Sequence, residues 1–433
     1  MITRRDGHGM VATGESHRVT PAELFFDLAF VYAITQVTAL MAADPTVTRL
    51  LGAGVVLALL WFCWCCFAWL GNVVRADAGA LFGVLVVVMA GVFVVSLTVP
   101  EVYTDAQGGV NAPLVFVLCY GAFRALHLIA YWISHPNDAR LRATLRKTAL
   151  TSVLPPFLIL LAGSFFTGPT QILIWLCAVL VDYAAIYVLR ASGWRVASPG
   201  HFAERHGLIV IIALGESIVA VGVGARGYPL TYPVLVAAVG ALLIAAMLWR
   251  LYFRQLSDAA EERILAVDGD VRTRLAGEVY TFLHLPLVGG IVLTALGVES
   301  LVHQVADTKH YDLSEPLHGL AAWALPGGVG LFLLAVTAIR WRIGRLSAVL
   351  LAGGALCSVA GVGVVHIPGL LALAMVAVLL LVAVALHHRE VRTRTVAERE
   401  QPGGAGHSGG AGHSGGAKHG AQEESAIVPV PKT

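Results

Sequence analysis

The residues able to do chemistry in this chain stand where charge is most costly. Asp27, Arg124, His127, Asp182, Glu216 and His284 all fall inside long apolar runs. A charge at the centre of a membrane-spanning helix costs on the order of 2.5–3.5 kcal/mol on insertion scales, so each needs a partner or a water-filled cavity. Glu216 is the deepest acid, roughly 14 Å along the helix of LIVIIALGESIVAVGVGA at 1.5 Å per residue. Gly215 and Ser217 flank it and allow another backbone to approach closely. Arg205 falls on nearly the same helical face, closer to the helix start.

Arg124 in YGAFRALHLIAYW lies too deep to reach water, with His127 one turn away on the same side. It therefore demands an acid from another helix, and by depth the candidates are Asp182, in LCAVLVDYAAIYVLR, and Glu216. Such a set supports two chemistries. One is a buried Arg–carboxylate pair that only fixes helix packing. The other is a site for a solute or a proton, since neighbouring carboxylates share protons and histidine titrates near neutral pH. His284 precedes Leu285-Pro286 and Gly289-Gly290. A helix broken there frees carbonyls toward a cavity, or simply kinks with His284 bonded to one of them.

Hydrolytic chemistry finds less support. GESIV is no nucleophile elbow, because Val219 occupies the place of the final glycine and no strand precedes it. The chain has no H-E-x-x-H and no phosphate-cradling loop. The six cysteines all lie in apolar runs, so LWFCWCCFAW reads as soft packing rather than a metal or redox site, and no cofactor is expected. No basic patch interleaved with aromatics suggests nucleic acid.

The elements that hold these residues are membrane helices. The chain is 433 residues long, 57% hydrophobic and 13% charged, where a soluble domain is about a quarter charged. The expected fold is all-α, a polytopic transmembrane bundle of about twelve spans. The apolar windows are 23–42, 51–72, 79–99, 112–133, 149–167, 169–190, 207–226, 230–252, 279–302, 318–338, 346–364 and 367–386. The division at TGPT, between the fifth and sixth, is the weakest. With the N-terminus inside, the outer segments hold only Arg49, Arg226 and Lys309, while all other loop cations fall inside. The positive-inside rule thus places both termini in the cytoplasm of a cell (inner) membrane protein.

Three regions follow: a cytoplasmic segment 1–19, a bundle 20–388, and a tail 389–433. PGGAGHSGGAGHSGGAKHG marks the tail as low-complexity and expected to be disordered. His407, His413 and His419 in it suit a flexible tail better than a metal site. MAGVFVVSLTVPE and LVGGIVLTALGVE share spaced Gly, Val and Glu, and Ala22-Glu23 matches Ala203-Glu204. These pairs point to a six-plus-six parallel duplication with halves 20–195 and 196–388.

In VTPAELFFDLAFVYAITQ, Thr20, Pro21 and Glu23 form a capping box with proline at the first helical position. Helix initiation accounts for Glu23. Asp27, one turn deeper and roughly 8 Å in from the helix start, has no such account and is expected to face the bundle and line a vestibule leading to Glu216. Glu101 and Glu299 end their spans and read as solvated interfacial charges.

VTPAELFFDLAFVYAITQ and ERHGLIVIIALGESIVAVG resemble signature segments of the bacterial low temperature requirement A (LtrA) family, and HLPLVGGIVLTALGVE resembles a third. The likeness runs from about Val19 to the last span; Ala29 and Tyr32 depart mildly from it. It implies a multi-pass bacterial membrane protein and supplies no reaction.

From the residues, the preferred reading is a transporter-like protein with an intramembrane acid/Arg/His site open to the cytoplasm. A small solute or a proton is its cargo, and Asp27, Arg124, Asp182 and Glu216 converge, with His127 or His284 relaying protons. The rivals are a membrane-embedded enzyme acting on a lipid-linked substrate and a scaffold or sensor whose buried pairs are only structural. The sequence leans away from an enzyme and does not specify an oligomeric state.

Overall fold

Helix starts follow the capping chemistry. The computed structural model describes residues 18–75, 79–104, 108–189 and 194–400. In helix α1 (Pro21–Ala42) the Glu23 amide donates to Thr20 Oγ1 at 3.3 Å, and the Thr20 amide donates back to the Glu23 carboxylate at 2.9 Å. Thr46 caps α2 (Val47–Val73). After α3 (Ala80–Thr98), Asn111 caps α4 (Ala112–Ser134), and Asp138 caps α5 (Ala139–Thr148). Each supplies a side-chain oxygen to an amide that the helix leaves unpaired.

The remaining helices are α6 (Leu154–Gly163), α7 (Gly168–Leu189), α8 (Pro199–Gly224), α9 (Tyr232–Leu251), α10 (Ser257–Leu265), α11 (Gly269–Ala276), α12 (His284–Ala306), α13 (Gly319–Arg342), α14 (Ala348–Val364) and α15 (Gly369–Glu400). No strand occurs among the described residues; Pro316 and Pro368 form an isolated bridge. The doubtful division at TGPT is a real turn, where Gly168 at φ 61° takes the left-handed conformation open to glycine.

Eleven helical runs among the described residues are long and apolar enough to cross a membrane. The eleventh expected window, 346–364, forms α14, a shorter apolar helix of 17 residues. Three runs extend well past their expected windows. The basic stretch ARLRATLRKT extends the fifth span at its start, and the charged connection 254–278 divides between the eighth and ninth spans as α10 and α11. Amphipathic charge on a continuing helix explains both, since polarity ends an apolar window without ending the backbone ladder. Segment 1–17 and residues 401–433, with the Gly/Ser/His repeat, lie outside the described residues.

Three of these joints are wide π-helical turns: Ala149–Val153 between α5 and α6, Tyr252–Leu256 between α9 and α10, and Gly277–Phe282 between α11 and α12. Side chains from elsewhere take up carbonyls of these turns. Arg124 donates to Ser152 O at 3.0 Å, Arg340 to Gln255 O at 3.1 Å, and Trp61 to Thr281 O at 2.7 Å. A loosened turn thus becomes a docking point for a donor on a neighbouring helix.

In the bundle, α1 packs on α2 and α3, α3 on α4, and α2 on α4 and α7; α8 packs on α9 and α12, and α13 joins α12 to α14. Glycine permits the closest of these contacts. A methyl group on Gly290 of α12 would stand 2.6 Å from Phe332 N of α13. Backbones that approach so closely gain dispersion contacts along their length, the main attraction between helices in lipid.

Candidate functional site

Arg124 and Asp182 meet, as the depth of the two residues requires. Both are almost fully buried, and the guanidinium Nη1 bonds directly to Asp182 Oδ2. Tyr120 OH donates to the same carboxylate oxygen at 3.0 Å and accepts from Arg124 Nη1 at 2.9 Å. Ser152 Oγ donates to Asp182 Oδ1 at 2.5 Å, and Arg124 Nη2 reaches Ser152 O, Ser152 Oγ and Asp182 Oδ1. The Phe62 ring lies 4.4 Å from the guanidinium carbon. The four Nη hydrogens are thereby used, and of the five donors of an arginine only Nε–H is left.

Arg124 of that pair forms part of the wall of a partly open cavity of about 110 Å³. α2 contributes Phe62, Cys65, Cys66 and Trp69; α4 contributes Arg124 and His127; α5 contributes Thr148; and α7 contributes Ile186 and Tyr187. Trp194, from the connection before α8, and Thr273, Arg274, Glu278, Thr281 and Phe282, from α11 and the turn after it, complete the wall. The lining is mostly apolar and aromatic. Three buried polar atoms on it have no hydrogen-bond partner: Arg124 Nε, His127 Nε2 and Thr148 Oγ1. Leaving a buried polar group unpaired costs about 1–3 kcal/mol.

His127 is held by rings. Trp194 stacks parallel to it at 5.9 Å between centroids, and Tyr131 meets it edge-on at 5.1 Å. At the rim, Arg274 is exposed and Glu278 pairs with Arg342.

The other expected site residues lie elsewhere. Asp27 does not line a passage to Glu216. It accepts from Arg205 Nη2 at 2.8 Å and from Trp64 Nε1 at 2.8 Å. Glu23, expected only to cap α1, is also buried between His201 at 3.0 Å and Arg205 Nη1 at 3.3 Å. Asn72 of α2 braces the same group by donating to Ser198 O at 2.6 Å. The cluster ties α1, α2 and α8 together and pre-empts Arg205, which shares its side of α8 with Glu216 but serves α1.

Glu216 is buried against two hydroxyls of α1, Thr35 Oγ1 at 2.7 Å and Thr38, and has no cation partner among the described residues. Glu299 of α12 is half-buried and within range of its charge, rather than a solvated end-of-span acid. His284 sits apart from both. Its Nδ1 faces Val279 O at 2.8 Å and its Nε2 faces Tyr252 OH at 2.9 Å, with His206 beside it. The loosened turn thus yields its carbonyl to His284 itself, and the expected opening of that carbonyl toward a cavity is not found there. Of the six residues, the structure joins Arg124, His127 and Asp182. Asp27, Glu216 and His284 occupy three separate surroundings.

Thr148, Trp194 and the α11 residues of the cavity were not picked out from the sequence. Thr148 and Thr273 sit in polar, charged connections between the apolar windows, and Trp194 is a single aromatic in a short connection. The one available signal was His127, a second polar group one turn from Arg124 with no acid of its own.

The family model of the Bacterial low temperature requirement A protein (LtrA) matches residues 18–386. An uncharacterized protein of Rhizobium meliloti (strain 1021) is 27% identical over 292 residues, covering 65% of this chain and 69% of that protein. No solved structure matches the chain. With the match spanning α1 to the end of the apolar part of α15, and with eleven apolar helices among the described residues, the chain is a multi-pass membrane protein that belongs to the bacterial low temperature requirement A family.

Proposed function

We propose that this protein is a cell-membrane transporter-like protein that binds a small solute in the cavity between α2, α4, α7 and α11. The observation that carries this reading is the set of three unpartnered polar atoms, Arg124 Nε, His127 Nε2 and Thr148 Oγ1, on one otherwise apolar wall. Pockets of this kind, apolar with a few converging polar groups, are the ordinary form of small-molecule sites. The arginine-rich segments beside the cavity, with Arg140, Arg146 and Arg272, support a cytoplasmic opening. Asp182 fixes Arg124 in place. Glu216, a buried acid with hydroxyls and no cation for partners among the described residues, is the group best suited to carry a proton if movement is coupled to one. The test is uptake or efflux screening in proteoliposomes with Thr148→Val and His127→Phe beside the parent. Loss of a solute flux in both variants supports the reading, and a flux indifferent to both removes the cavity from it.

A second reading is favoured by one observation. Glu23, Asp27, His201 and Arg205 form a packed ion cluster with no room for a water-sized occupant in the pocket beside it. That arrangement suits a scaffold whose buried charges only fix the register of α1 against α8.

A further inference from the structure

We infer that the occupant of the Arg124–His127–Thr148 cavity is an uncharged molecule with a flat apolar body and a hydrogen-bond acceptor such as a ketone oxygen. The inference rests on the transporter-like reading and narrows it to a class of ligand. Anions are recognised by arginine through the paired Nη and Nε hydrogens of its fork. Here Asp182, Tyr120 and the Ser152 turn occupy both Nη groups, leaving one N–H for a ligand. Asp182 also cancels the guanidinium charge, so no net positive charge is buried behind the cavity wall to offset a ligand carboxylate. A carboxylate or phosphate brought against that buried wall gives up its hydration without a buried counter-charge, the only unpaired lining cation among the described residues being the exposed Arg274 at the rim.

A cation fares no better. The carboxylate of Asp182 is taken up by Arg124, Tyr120 and Ser152, and that of Glu278 by Arg342. What remains is one fixed donor, Arg124 Nε–H, with His127 Nε2 and the Thr148 hydroxyl able to donate or accept beside it. Phe62, Trp69 and Trp194 supply ring faces for a planar body. Cys66 lines the same cavity and gives a chemical reporter of occupancy.

The test uses the full chain in lipid nanodiscs and three probes built on one ring system: acetylnaphthalene, naphthoate and naphthylmethylamine. Binding of radiolabelled acetylnaphthalene is measured against empty nanodiscs, with the two charged probes as competitors. Alkylation of Cys66 by N-ethylmaleimide, followed by mass spectrometry, locates the site. The expected result is saturable acetylnaphthalene binding that slows Cys66 alkylation. Naphthoate and naphthylmethylamine compete about tenfold or more less well, and Thr148→Val weakens binding by about three- to tenfold, the loss of one hydrogen bond. Thr148→Val keeps the side-chain shape, so its effect is readable even where an Arg124 variant does not fold. Tighter binding of either charged probe at Cys66 overturns the uncharged class while leaving the cavity as a solute site. Absence of saturable binding and of Cys66 protection with all three probes overturns both.

Discussion

The Trp194 indole lies parallel to the His127 imidazole, 5° between planes and 5.9 Å between centroids, so a short connection before α8 covers one of the unpartnered polar groups of the cavity. The same indole meets Tyr131 edge-on at 4.8 Å. These two ring contacts seat a half-buried residue that belongs to no helix, making it the lightest part of the wall to displace.

Replacing that ring opens the cavity. Trp194→Ala is expected to leave helicity intact, to lower stability by about 1–2 kcal/mol, and to raise the rate of Cys66 alkylation in nanodiscs several-fold. An unchanged alkylation rate means that Trp194 does not control access to the wall.

Asp182 and Arg124 behave as one unit. Asp182→Asn leaves a buried guanidinium uncompensated and is expected to destabilise the protein by about 3–5 kcal/mol. The double change of Asp182→Leu with Arg124→Leu, which removes both charges, recovers much of that loss. Reversible unfolding in mixed detergent micelles measures the three proteins. Equal stability of the single and double variants contradicts the pairing.

Glu216 predicts the opposite pattern. Its carboxylate meets hydroxyls and no cation among the described residues, so a carboxamide replaces it with little loss. Glu216→Gln is expected to shift stability by less than about 1 kcal/mol while flattening the pH dependence of any solute flux. A destabilisation as large as that of Asp182→Asn reveals a cation partner for Glu216.

Outside the spans, Asp307 gives a pH signature. Burial opposes its charge, but hydrogen bonds from His310 at 2.8 Å and Tyr228 at 3.1 Å outweigh it and hold the carboxyl below its ordinary value. A lowered folded-state pKa contributes stability that is fully present above the unfolded value near 3.9 and is lost as pH falls through the folded one. Thermal stability of the parent therefore falls more steeply than that of Asp307→Asn between about pH 5 and pH 2. Parallel curves for the two proteins place the acid sensitivity elsewhere.

The spans were readable because an apolar window of membrane length has one stable outcome in lipid, and the cation asymmetry tested their number. Partners were harder. Arg124 demanded an acid, and depth narrowed it to Asp182 or Glu216, but depth carries no information on azimuth. Arg205 shows why: its spacing from Glu216 suggested a shared face, yet Glu23 and Asp27 on α1 claim it. The capping box at Thr20 was legible as a local pattern, whereas the burial of Glu23 beneath α8 depends on a helix far away in sequence. The cavity escaped notice for a related reason. Thr148 and Thr273 come from charged connections between the apolar windows, and only the wide turns at Ala149–Val153 and Gly277–Phe282 bring Ser152 to Arg124 and Thr281 to the cavity wall.

The most direct test of the cavity as a solute site open to the cytoplasm is the sidedness of Cys66. In a variant keeping Cys66 as its sole cysteine, a membrane-impermeant maleimide is applied to right-side-out and to inside-out vesicles. The account predicts labelling in inside-out vesicles alone, slowed by acetylnaphthalene and accelerated by Trp194→Ala. Labelling from the outer face, or an inert Cys66 on both faces even with Trp194→Ala, contradicts it.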